Sequence, residues 1–435
     1  MARTRNPGPR RSPGPLKGPV FDENALVVTV RDPGILAGAA SSISAGQPAE
    51  TPALDLLHEY VRRNEGAASF TMLSSGERFP ESPGLEKERW QLGVAAAVVE
   101  GEPPPPTVLH LRLASPADRA LVEEVIRGEP AITAHSPAVF YPPDVPKPFP
   151  GVHKDHQWAL ERCGFARVWN DLDGADHPVP IAVIDSGRHT GHPDLEGCIA
   201  RHEPPLDAPQ DESSVHASSV AGVLAALRGN GDEEGMAGCC SAKVHLFNVW
   251  NGFFDYKAFY RALEDVLRSD TRVVNVSLTA SASDPTVDDL IARCVRAGKV
   301  LVAAMGDFAQ DQSPKMFPAA SEGVIAVGAT NRRDRRSGIS SKGDHIWISA
   351  PGTAVWTIFG PDDYEPLSGT SYATPMVSAA AWLALRKRPE LTLEQVKVLL
   401  SRSVAPRPNV KGAFFEDIGH GRLDMVKLKE VLPTV

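Results

Sequence analysis

The stretch VLVAAMGDF, Val300 to Phe308, is apolar without interruption from Val300 to Met305, halts at Gly306 and then presents the carboxylate Asp307. A strand with one solvated face would alternate apolar and polar residues, so this unbroken run reads as a strand covered on both faces. Similar runs stand at Ile181 to Ile184, Val244 to Val249, Arg272 to Val276 and Val324 to Val327. Helical segments such as Tyr256 to Arg268 and Pro285 to Ala297 separate them. This alternation predicts an α/β fold, a doubly wound, mainly parallel sheet flanked by helices. Ligands of such sheets sit beyond the carboxyl ends of the strands. Asp185 and Asp307 stand at that end of their runs, and a carboxylate at the mouth of an apolar strand is costly unless something there uses it.

Toward the N-terminus the pattern changes. ALVVTV (Ala25 to Val30) reads as a strand, and TPALDLLHEYVRR (Thr51 to Arg63) as an amphipathic helix with Leu54, Leu57 and Val61 on one face. TVLHLRLASPADRALVEEVIRG opens as a strand at Thr107 and continues as a helix capped by Ser115 and Pro116; ITAHSPAVFY returns to extended structure. These elements predict a small α+β domain over 21–141. A disordered basic tail, 1–20, precedes it. A linker, 142–152, follows, with too many prolines for helix or central strand. The α/β pattern fills 153–435.

Of the 435 residues, 42% are hydrophobic and 23% charged, as in ordinary globular proteins. A net charge of -9 argues against a nucleic-acid partner. The basic start lacks the apolar core of a secretion signal, and no apolar run approaches the roughly 20 residues that span a bilayer, so no membrane role is expected. Cys163, Cys198, Cys239, Cys240 and Cys294 are odd in number and irregularly spaced. They predict no disulfide framework and a reducing, cytoplasmic setting. Cys239 and Cys240 with His245 match no zinc spacing and read as buried apolar filler; no cofactor is expected.

Three further stretches carry chemistry: IAVIDSG (Ile181 to Gly187), HASSVAG (His216 to Gly222) and GTSYATP (Gly369 to Pro375). Ser371 sits at the head of an apolar helical segment. N-capping explains a serine there, and so does a nucleophile whose oxyanion meets unpaired N–H groups. Alone, His216 reads as a core histidine and Asp185 as a turn-capping carboxylate. Together the three supply nucleophile, base and orienter, the minimum for acyl transfer by serine. The chain order Asp, His, Ser is one of the few in which such triads occur.

With these motifs the sequence resembles the subtilisin-like serine peptidases, or subtilases. IAVIDSGRHTGHPDLEG is similar to the family's aspartate motif and GTSYATP to its serine motif, while HASSVAG departs by Ala217 and Ser218 from the usual Gly-Thr. GMAG (from Gly235), VVNVSL (from Val273), AVGAT (from Ala326), ISSKG (from Ile339), SAPGT (from Ser349) and TLEQVKVLL (from Thr392) extend the resemblance over His153 to Leu428.

The resemblance implies that Asp185 orients His216, that His216 is base and then acid, and that Ser371 attacks a peptide carbonyl with its backbone N–H in the oxyanion hole. It implies an edge strand at Ser277, Leu278 and Thr279 that pairs with an extended polypeptide substrate, and a specificity pocket walled by Ala303, Ala304, Met305 and Gly306. Thr279 replaces a usual glycine. QWAL (Gln157 to Leu160) resembles the start of many catalytic domains, and the α+β domain before it resembles a prodomain that blocks the site with its C-terminal strand. Some subtilases bind calcium; no ligand set is assigned. The implied function is serine endopeptidase, acting through an acyl-enzyme and restrained by its own N-terminal domain. A catalytically weak or inactive polypeptide-binding protein is the alternative, and an esterase or amidase would show a closed pocket.

Asp307 takes the place where the family usually carries an oxyanion-donating asparagine. An ionised carboxylate cannot donate. Keeping an ordinary aspartic acid neutral at pH 7 costs about 4 kcal/mol, close to the roughly 2.7–4 kcal/mol one such donor contributes in subtilisin. A weak, acid-favoured protease is therefore expected. Prolines after Tyr141, Val145, Lys147 and Phe149 predict slow or absent self-processing of the linker.

Overall fold

The computed structural model describes residues 22, 25–30, 63, 69–72, 107–127, 132–137, 140–141, 157–172, 179–187, 191–203, 215–228, 236–250, 254–308, 314–405 and 416–435. The expected tail, the linker, and the Thr51 to Arg63 helix apart from Arg63 lie outside them.

Strands β1 (Ala25–Val30), β2 (Ser69–Met72), β3 (Thr107–Arg112) and β4 (Ile132–His135) form an antiparallel sheet in the order β2-β3-β1-β4. Helix α1 (Arg119–Ile126) packs beside β4. It starts later than the Ser-Pro signal predicts. Ser115 and Pro116 open a single turn, Pro116–Asp118, and the Asp118 carboxylate accepts the Ser115 N–H at 3.1 Å. A two-residue strand, β5 (Phe140–Tyr141), follows.

After the short helix α2 (Trp158–Cys163) and a single helical turn, Trp169–Leu172, come β6 (Ile181–Asp185), β7 (Ile199–Glu203), α3 (Val215–Ala225), β8 (Val244–Asn248), α4 (Tyr256–Arg268) and β9 (Val273–Val276). Next are β10 (Thr279–Ala280), α5 (Pro285–Arg296), β11 (Val300–Ala304), β12 (Ile325–Thr330), β13 (Ile346–Pro351) and the hairpin β14 (Val355–Ile358) with β15 (Tyr364–Leu367). Helices α6 (Thr370–Lys387), α7 (Leu393–Arg402) and α8 (Met425–Val431) complete the order. Starts are set by side chains: Asp255 and Asp284 accept first-turn N–H groups of α4 and α5, and Thr392 and Gln395 form a reciprocal cap on α7.

Seven strands make one sheet, β13-β12-β11-β9-β6-β8-β7, with every neighbouring pair parallel. Side chains alternate between two covered faces, as the unbroken apolar runs predict. Ile181, Val183, Val273, Val300 and Val302 share a core with α3 and α6. Ala182, Ile184, Val274, Val276, Leu301 and Ala303 share another with α4 and α5. The chain steps from β6 outward to β7 and β8, then returns to lay β9 on the other side of β6. This reversal opens a crevice at the carboxyl ends of β6 and β9.

Candidate active site

Asp185 is the last residue of β6 and is wholly buried. Its Oδ1 accepts the Ser186 N–H at 2.6 Å and faces Nδ1 of His216 at 2.5 Å. His216 is the second residue of α3 and 3% exposed. The Ala217 N–H, bonded to the Ser186 carbonyl at 3.0 Å, ties that helix to the loop after Asp185. Gly222 lets α3 approach β14, since a Cβ there would lie 3.0 Å from Thr357 Oγ1. A carboxylate on Nδ1 holds the proton on that nitrogen and leaves Nε2 as the proton-accepting one.

Ser371 is the second residue of α6 and 7% exposed. Helix α6 packs against α3, and the ring of Tyr372 lies 5.7 Å from that of His216. Burial first, then Asp185 and Asp307, push the Tyr372 phenol well above its ordinary value, which keeps it neutral. Ser371 and Ser277 bond reciprocally: Ser371 Oγ donates to the Ser277 carbonyl at 3.3 Å, and Ser277 Oγ donates to the Ser371 carbonyl at 3.2 Å. The second bond has a covalent origin. Pro375, inside α6, has no N–H for the carbonyl four residues back, which is that of Ser371. A hydroxyl has one hydrogen to give, and here Ser371 gives its own to Ser277.

Asp307 reaches the same helix start. Its Oδ1 accepts the Thr370 N–H at 2.8 Å and the Thr370 hydroxyl at 2.9 Å, and Thr370 Oγ1 accepts the Gly306 N–H at 3.1 Å. The carboxylate therefore caps α6 from the loop after β11, in place of the local side-chain cap that Gly369 cannot provide. Its Oδ2 lies beside Gly369, 3.0 Å from where a Cβ would stand.

The expected edge strand is divided. β9 ends at Val276, Ser277 and Leu278 form the bend, and Thr279 starts β10. β10 pairs antiparallel with β5, Thr279 opposite Tyr141 and Ala280 opposite Phe140. Ala303 and Ala304 end β11, and Met305 and Gly306 follow it, with Ala303 to Met305 all buried. Three contributors escaped the sequence reading. Thr370 links Gly306 to Asp307. Asn248 Oδ1 accepts the Gly187 N–H of the loop after Asp185 and the Trp250 N–H just beyond β8. Asn275 donates to Ser277 Oγ and accepts from Ser378. The signal for both asparagines was available, a polar residue ending or interrupting an apolar run.

The N-terminal sheet docks on α4 and the head of α5. Val27 and Val108 join the core of Phe259 and Tyr260. His110 stacks on Tyr256 with ring centroids 5.9 Å apart. Asp284 Oδ1 accepts the Tyr256 hydroxyl at 3.0 Å and faces His135 Nε2 at 3.0 Å. Burial, with Lys257 adding to it, lowers the His110 pKa to about 4.

The model of the subtilase family, peptidase S8, matches residues 176–421, more than half of the chain. The chain belongs to the subtilase family. Subtilisin E of Bacillus subtilis (strain 168) is 33% identical to this subtilase over 224 residues, which are 50% of this chain and 58% of that protein. The chain thus spans less than two thirds of that relative's length. Subtilisin of Bacillus pumilus is 32% identical over 224 residues, 81% of its length. Among solved structures, the prenylagaramide maturation protease PagA is similar in fold, with a TM-score of 0.53 and 24% identity over 62% of this chain and 98% of that one. The doubly wound fold expected from the strand pattern is the subtilisin-like fold. Among the described residues of this subtilase all five cysteines are free and buried, no group of three or more His, Cys, Asp or Glu side chains is arranged to hold a metal ion, and no helix is long and apolar enough to cross a membrane.

Proposed function

We propose that this subtilase is a serine endopeptidase that cuts polypeptides through an acyl-enzyme. The observation that carries the reading is the Asp185–His216 bond of 2.5 Å in the crevice where Ser371 opens a buried helix. Ser371 Oγ bonds to the peptide carbonyl carbon as its proton passes to His216 Nε2. The Ser371 N–H belongs to the first turn of α6, whose N–H groups have no carbonyl partner within the helix, and it meets the oxyanion. Collapse breaks the C–N bond, His216 protonates the departing amine, and water repeats the sequence on the ester. An extended substrate is read by the Thr279 edge. The pairing of β5 with β10 supports a second element, restraint of the site by the N-terminal domain. The five free thiols support a reducing setting.

The carboxylate at Asp307 favours the alternative of a weak or inactive polypeptide binder. A fluorophosphonate probe separates the two. Labelling that is absent in Ser371→Ala, with cleavage of a peptide library, is expected; no labelling of either the intact chain or Asp284→Ala, in which the N-terminal sheet is loosened, under conditions that label subtilisin E defeats the proposal.

A further inference from the structure

The endopeptidase reading leaves the residue before the cut bond unspecified, and a specificity assigned to that position rests on the same reading. On that reading, a substrate side chain on the Ser371 side of the crevice would enter between two backbone walls, Ser277–Ala280 and Ala303–Gly306. Both walls touch one further segment. Phe317 is bonded to Ala280 in both directions, N–H to carbonyl at 2.8 Å and 2.7 Å, on the edge of β10 away from β5. Its neighbour Met316 is fully buried. Met316 Cγ lies 3.1 Å from where a Cβ on Gly306 would stand, and Phe308 Cδ2 lies 3.3 Å from the same point. Gly306 has φ +89° and carries no side chain to fill that space. The Met316 side chain and the Phe308 ring fill it together.

We infer that Met316 occupies the primary specificity pocket and restricts the residue before the scissile bond to glycine, alanine or serine. The Phe317–Ala280 bonds fix the backbone of this segment to one wall while the thioether side chain packs on the other. A leucine or phenylalanine side chain must then displace a packed methionine, and overpacking of this kind is unfavourable. One methylene in an apolar pocket already shifts discrimination by about ten-fold or more, so a whole ring should be rejected far more strongly.

The test measures kcat/KM of the intact chain on two peptides that differ only in alanine or phenylalanine before the cut, with fluorophosphonate labelling of Ser371 in parallel. The ratio of the two values cancels the fraction of active enzyme. Wild type should favour alanine by about 100-fold or more. Met316→Gly should move the ratio toward phenylalanine by about 30-fold, and Met316→Ala should move it less. The wild-type ratio tests the restriction even where a variant folds poorly. Phenylalanine cut as fast as alanine by wild type, or a ratio unmoved in both folded variants, overturns the inference while labelling keeps the endopeptidase reading. Absence of both labelling and cleavage overturns that reading, and the inference with it.

Discussion

Replacing Asp307 by asparagine should speed the proposed peptide cleavage at neutral pH. In the structure Asp307 Oδ1 accepts both the Thr370 N–H and the Thr370 hydroxyl. An asparagine Oδ1 accepts the same two bonds, so the cap on α6 survives the substitution, and Nδ2 takes the position of Oδ2 beside Gly369. An ionised carboxylate cannot donate to an oxyanion. Neutralising an ordinary aspartic acid at pH 7 costs about 4 kcal/mol, which offsets the roughly 2.7–4 kcal/mol a donor supplies. Asparagine supplies the donor without that cost. Turnover of Asp307→Asn at pH 7 should rise by about ten-fold or more. The advantage should narrow toward acid pH, where the neutral fraction of the aspartic acid grows. Profiles of kcat/KM against pH for both forms on one peptide decide it. Asp307→Ala is the control: it removes the cap, at about 1 kcal/mol of stability, and supplies no donor. An asparagine variant no faster at pH 7, with the wild-type profile, refutes the assignment of Asp307 to the oxyanion.

Ser371→Ala and His216→Ala should each remove nearly all peptide cleavage, and the double variant should lose little more, because either change alone abolishes the activated nucleophile; additive losses in single-turnover kinetics contradict the triad. Docking of the N-terminal sheet should weaken in acid through His110, whose pKa is lowered from 6.5 to about 4 by burial. Below about pH 6.5 the undocked histidine takes up a proton that the docked one resists, so stability present at neutral pH is lost progressively down to about pH 4, by roughly 3 kcal/mol. Hydrogen exchange of β1 and β3 across this range, flattened in His110→Phe, measures it; equal pH dependence in the variant excludes His110. Asp284→Ala should lower Tm by removing the α5 cap and the acceptor of the buried Tyr256 hydroxyl, worth about 1 kcal/mol and about 1–3 kcal/mol respectively. If the N-terminal domain restrains the site, fluorophosphonate labelling of Ser371 should also quicken; a lower Tm with an unchanged labelling rate confines Asp284 to stability.

The parts legible in the sequence are those whose physics is local. The apolar run at Val300 to Met305 has no solvated face, so its place inside a covered sheet could be read directly, as could Asp185 at a strand end and Ser371 at a helix start. The Asp185–His216 contact spans 31 positions and became readable through the motifs around each partner. Contacts between distant segments without such motifs were not. His135 and Asp284 meet across 149 positions, and each looks ordinary in its own segment. Asp307 presented itself as a carboxylate in need of a use; that its Oδ1 caps α6 follows from the fold alone, because Thr370 comes 63 residues later. The late start of α1 has the same character, since Ser115 and Pro116 signal a helix equally well whether or not a separate turn intervenes.

If the Thr279 edge receives the substrate, as proposed, Tyr141 already holds that backbone, and an arriving peptide competes with a segment of the same chain. A strand tethered by a short connection acts at an effective concentration on the order of millimolar. A peptide must match that figure, divided by its own advantage in affinity, before half of the molecules exchange one strand for the other. On that proposed reading, short or weakly held peptides would be screened out before they reach Ser371. A polypeptide that engages several sites at once passes the screen.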